Sequence, residues 1–90
     1  MDASKVIKTK TQIVRIGQQL SRGYGDWVRL ADIADRMDYE PPIWEAAFRE
    51  LARERNVSVM PDENQMGLTQ EDRWAAVTIG GGPNHLIAWF

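Results

Sequence analysis

The stretch PPIWEAAFRELARERNVSV, residues 41 to 59, runs a helix straight into a strand, and that junction restricts the possible folds more than any other feature of the chain. Glu40 precedes a proline and is therefore pushed towards extended backbone. Glu40 and Pro41 are expected to be extended, and Pro42 suits the first helical turn, where its missing N–H costs no hydrogen bond. At about 100° per residue, Trp44, Ala47, Phe48 and Leu51 gather on one side, which is the core face. Pro42, Ala46, Arg49 and Arg53 lie on the other side, with Glu45, Glu50 and Glu54 around them. Asn56 tolerates the left-handed backbone that ends a helix, and VSVM then reads as a strand stopped by Pro61.

Two helices precede it. SKVIKTKTQIVRIGQQLSRG places Val6, Ile13, Gly17 and Leu20 on one side with Ile16 close by, Ser4 as a cap, and Gly23 and Gly25 past the end. DWVRL is a short extended piece. In LADIADRM, Leu30, Ile33, Ala34 and Met37 are spaced i, i+3, i+4, i+7, again one apolar stripe. The expected helices span about 5–22, 30–37 and 42–55.

The segment after residue 60 admits two readings. Thr69 with Asp72 three residues on is a capping box, which makes 69–79 a short helix ending at Gly80. Alternatively RWAAVTI is a strand, GGGPN a turn and HLIAWF the returning strand. HLIAWF is a strand under either reading and can pair with VSVM. Trp44 and Trp27 are expected in the core. Trp89 and Phe90 pack within the domain or, if exposed, mark a partner surface.

Ninety residues suit one domain, 1–90. No apolar run approaches a membrane span and no signal pattern opens the chain, so a cytoplasmic protein is expected, with no membrane partner. The chain has no cysteine and one histidine, which leaves a metal site almost nothing to stand on. GGGPN lacks the Lys-Ser/Thr of a phosphate loop, and the carboxylates form no acid/base pair. No enzyme, cofactor or metal is expected. Net charge is −2, unlike a typical nucleic-acid binder. The distribution is uneven. Residues 1–30 hold six basic side chains against two acids, a balance of +4, and residues 31–90 hold five against eleven, a balance of −6.

Helix, short strand, helix, turn, helix, strand, loop, strand is an order that resembles the winged helix-turn-helix family. WVRLADIADRM resembles that family's strand and second helix, and IWEAAFRELARERNVSV resembles its recognition helix entering the wing. The likeness covers residues 5 to 60 well and the rest loosely. Two features depart from it: Arg29 stands where a Ser or Thr cap is usual, and DYEPP is longer and more acidic than the usual turn. The resemblance implies an α+β winged helix-turn-helix, with a three-helix core, a small antiparallel sheet, and a wing at about 57–90 that has room for an inserted helix.

It further implies a transcriptional or replication regulator that binds double-stranded DNA with the third helix in the major groove, as a homodimer. The groove-facing residues would be Pro42, Glu45, Ala46, Arg49 and Arg53. An arginine fork matches guanine O6 and N7, and Glu45 can accept from cytosine N4. Tyr39, Arg29, Lys5, Lys8 and Lys10 would meet phosphates. Two competing readings come from the residues themselves. Arg49 with Glu45 and Arg53 with Glu50 have the spacing of weak ion pairs on a solvated face, and neighbouring carboxylates repel phosphate. The alternative function is a winged-helix module that binds a protein partner through its acidic surface or through Trp89 and Phe90.

Overall fold

The computed structural model describes residues 2–90. It is an α+β arrangement of four helices and small antiparallel sheets. Helix α1 spans Ala3–Leu20, strand β1 Val28–Arg29, helix α2 Leu30–Ala34, helix α3 Pro41–Leu51 and strand β2 Val57–Met60. A 3-10 turn at Gln65–Gly67 leads to α4 at Gln70–Ala75, then β3 at Val77–Ile79, β4 at Gly82–Asn84 and β5 at Leu86–Trp89.

The helices follow the sequence pattern, with adjusted ends. Asp2 caps α1 in place of Ser4, its carboxylate accepting the Ser4 N–H at 2.9 Å. α1 stops at Leu20, because Ser21 is already extended. α3 begins one residue earlier than expected, with Pro41 and Pro42 both in its first turn. Its regular part ends at Leu51. Arg53 and Glu54 bond back three residues, to Glu50 and Leu51, in a tightened turn. Asn56 does not take the left-handed conformation, since no described non-glycine residue has positive φ. α2 is also shorter than expected, tightening to three-residue bonds at Arg36 and Met37.

Both readings of 69–79 are partly right. Thr69 and Asp72 form a reciprocal capping box on α4, and Val77 then starts a strand. The change comes where β-branched residues replace helix formers. β3 and β4 pair as a hairpin, and Gly80 and Gly81 turn it with φ of 68° and 89°. A two-residue hairpin turn of this hand requires positive φ, which glycine takes without penalty.

The main sheet has the order β1-β5-β2, all antiparallel. Val57 pairs with Trp89 and Val59 with Ile87, the pairing expected for VSVM and HLIAWF. Val6, Ile13 and Ile16 of α1, Leu30 and Ile33 of α2, and Trp44, Ala47, Phe48 and Leu51 of α3 pack on Val28, Ile87 and Trp89. Ala75 and Val77 join this core, so α4 and β3 are packed onto the domain. The buried Trp44 Nε1–H donates to the Ala75 carbonyl at 2.9 Å.

Trp27 corrects an expectation. It is 38 % exposed. β1 begins at Val28, which takes the inward position, and Trp27 stands before it, edge-on to Phe90. Trp89 is buried over Gly17, where a β-carbon would lie 2.2 Å from the indole Cη2. His85, 2 % exposed, accepts the Asp62 N–H at Nδ1 (3.1 Å) and fastens the loop after β2 to the start of β5. No described helix is long and apolar enough to cross a membrane.

Candidate nucleic-acid interface

The outward ridge of α3 is built as its spacing dictates. Pro42, Glu45, Ala46 and Arg49 line a shallow depression of about 330 Å³. Beside it, Arg49, Ala52 and Arg53 face Thr78, Ile79 and Gly80 of the β3–β4 hairpin across a groove of about 360 Å³. Arg53 lies beyond the regular helix, in the turn after Leu51, and still lines the same groove as Arg49. Ala46 and Ala52 keep the surface low, so a ligand can approach the backbone closely.

Arg49 bridges the two walls. Its Nη2 donates to Glu45 Oε1 at 2.7 Å and to the Thr78 carbonyl at 3.5 Å. The Arg49 and Glu45 side chains are 56 % and 45 % exposed. A pair this exposed is worth about 0–1 kcal/mol, so an incoming phosphate or base edge competes with it at little cost. The other two glutamates of the helix face elsewhere. Glu50 and Glu54 line a separate groove against α1, where Lys10 Nζ meets Glu54 Oε2 at 3.4 Å. One acid, Glu45, therefore flanks the two arginines where the sequence suggested three.

The remaining cations are not brought to this ridge. Arg29 donates to Asp72 Oδ1 at 3.2 Å and to Asp62 Oδ2 at 3.1 Å. It ties Asp62 and Asp72 to the start of α2. Lys10 turns towards α3 and pairs with Glu54. Lys5 and Lys8 are exposed but turned about 140° and 160° around α1 from Lys10, away from α3.

Tyr39 also has a structural role. Its hydroxyl donates to the Trp74 carbonyl at 2.6 Å, and its ring meets Trp44 edge-on at 5.3 Å between centroids. Burial, then the nearby Glu45 charge, raise its pKa above the usual phenol value. The phenol is thus a neutral donor at the surface, committed to the Trp74 carbonyl.

No local pattern marks Thr78, Ile79 and Gly80 as the second wall. Their turn was legible from the glycine run, but its position beside α3 depends on α4 docking through Ala75 and Trp74. Among the described residues, no three His, Cys, Asp or Glu side chains gather as metal ligands would. Comparison with family models, curated proteins and solved structures finds no match.

Proposed function

We propose that this chain is a small winged-helix DNA-binding protein, a regulator of transcription or replication, with α3 in the major groove and the β3–β4 hairpin against the neighbouring backbone. The observation that carries this reading is the pair Arg49 and Arg53, exposed in one groove between helix and hairpin with Glu45 as the single acid beside them. The strand order β1-β5-β2, with a strand before the second helix and two after the third, is compatible with a winged-helix-like fold. Arg49 reads base edges once Glu45 releases it, and Ala46 permits the helix to seat deeply. With no cysteine, the chain suits a reducing compartment such as the cytoplasm.

Few cations serve the ridge, so affinity is modest and the salt dependence shallow. The logarithm of the binding constant should fall with log salt at a slope of about −1 to −2, as one or two neutralised phosphates require. Fluorescence anisotropy with a labelled duplex measures this. Arg49→Ala with Arg53→Ala should remove most of the binding, whereas Lys5→Ala with Lys8→Ala should change it little. A wild-type chain that ignores duplex DNA at low salt overturns the reading.

A protein-interaction module is the second reading, favoured by one observation. Tyr24, Trp27 and Phe90 form an edge-to-face cluster, with centroids 5.5 and 6.3 Å apart, yet are 85 %, 38 % and 46 % exposed. Trp89, the other aromatic this reading would use, is buried over Gly17 instead. Exposed aromatics of this kind anchor protein partners. If this reading holds, duplex binding is absent at low salt, and replacing Tyr24, Trp27 and Phe90 abolishes capture of the partner.

A further inference from the structure

α1 carries a second stripe besides the one it buries. Ile7, Thr11, Val14 and Gln18 are spaced i, i+4, i+7, i+11, the alternation of a coiled-coil seam. They line an open groove of about 500 Å³ between α1 and α3. Ile7 is 62 % exposed, on a helix whose Val6, Ile13, Ile16 and Gly17 already fill the core. The two rims of the groove carry opposite charge. Glu50 and Glu54 stand on the α3 side with Lys10, which pairs with Glu54 and leaves that rim one net negative charge, and Arg15 stands on the α1 side, with Lys8 two turns before it on the same outer flank. Among the described residues, Lys8, Arg15 and Glu50 make no ion pair.

We propose that this groove is a self-association surface, on which a second copy of the chain lays its α1 parallel to the first about a two-fold axis running along the helices. Charge selects the direction. A parallel two-fold brings the acidic rim of each copy onto the basic rim of the other, as opposite flanks meet in a parallel coiled coil. Glu50 of each copy then faces Arg15 and Lys8 of the other. An antiparallel two-fold sets acidic rim against acidic rim, which like charges oppose. In the parallel arrangement Ile7 meets Ile7 and Val14 meets Val14, as an isologous contact requires. Thr11 and Gln18 occupy the levels between. Two apolar layers make the association weak and reversible. It uses the flank of α3 away from Arg49 and Arg53 and is independent of the DNA reading.

Sedimentation velocity across a concentration series tests it. A dimer should form at high protein concentration, weaken as salt rises, and lose at least about tenfold in affinity in Ile7→Glu. A chain that stays monomeric at about 1 mM in low salt overturns the proposal. Direction is read by crosslinking, because the chain has no cysteine of its own. Ile7→Cys and Gln18→Cys should each crosslink to themselves under mild oxidant. In a mixture, a dominant product joining position 7 to position 18 would show antiparallel packing and overturn the parallel two-fold. So would a Ser58→Cys control, exposed on the sheet, that crosslinks as fast as Ile7→Cys.

Discussion

At the scale of single residues, the chain is held by contacts with little room for change. Gly17 lies in the middle of α1, where glycine normally weakens a helix by up to about 1 kcal/mol relative to alanine. Here the Trp89 indole occupies the space a β-carbon would take, at 2.2 Å from Cη2 and 2.6 Å from Cζ3. The gain in helix propensity from Gly17→Ala is therefore reversed by overpacking, and the variant should lose about 1–3 kcal/mol in urea unfolding. An alanine variant as stable as the wild type would mean that Trp89 has another seat. Tyr39 poses the opposite case. Tyr39→Phe keeps the edge contact with Trp44 but removes the hydrogen bond to the Trp74 carbonyl. That should cost about 0.5–1.5 kcal/mol and speed amide exchange in α4 more than in α1. Trp44 and Gly17 were both legible on core faces of their helices. That Trp89 covers Gly17 was not, because the two are brought together only by β5.

At the scale of elements, α4 is short and depends on its ends. Thr69 and Asp72 cap each other: Asp72 N–H donates to Thr69 Oγ1 at 3.1 Å, and Thr69 N–H donates to Asp72 Oδ2 at 3.0 Å. Burial by itself raises the pKa of Asp72, 4 % exposed, but the Thr69 hydrogen bonds and the Arg29 guanidinium outweigh it and hold the carboxyl below its usual value. A depressed acid stabilises the fold fully above its unfolded pKa of about 3.9, and the contribution disappears as pH falls through the folded value. Acid titration should therefore show stability falling below about pH 4. Asp72→Asn should flatten that part of the profile and cost about 1–2 kcal/mol at neutral pH, as loss of a cap does. An unchanged acid limb would place the sensitive carboxylate elsewhere. The capping box was readable from spacing alone, because its partners are three residues apart. The second use of Asp72, as a seat for Arg29, spans 43 residues and left no mark in the local pattern.

At the scale of the whole molecule, the fold redistributes the charge asymmetry. Of the four ion pairs among the described residues, three join the basic first third to the acidic remainder: Lys10 with Glu54, and Arg29 with Asp62 and Asp72. The acids that make residues 31–90 look unfit for DNA are partly consumed in this way, and so are the cations once assigned to phosphate. α4 and β3 belong to the same body, since Val77 is 2 % exposed in the common core. Val77→Ala should therefore lower a single unfolding transition by about 1–3 kcal/mol, with tryptophan fluorescence and far-UV circular dichroism moving together. Separate melting of α4 and β3 would contradict this. The sequence by itself determined which face of each helix is apolar, that VSVM and HLIAWF are strands able to pair, and that a helix can start at Thr69, because periodicity, strand propensity and caps act over a few residues. Only the tertiary structure decided that Trp27 faces out and Trp89 in, that Arg29 is spent within the fold, and that Glu50 and Glu54 turn to α1 while Arg49 and Arg53 share a groove with the hairpin. Those outcomes depend on which distant group arrives as a neighbour, and packing and charge settle that only once the chain has closed on itself.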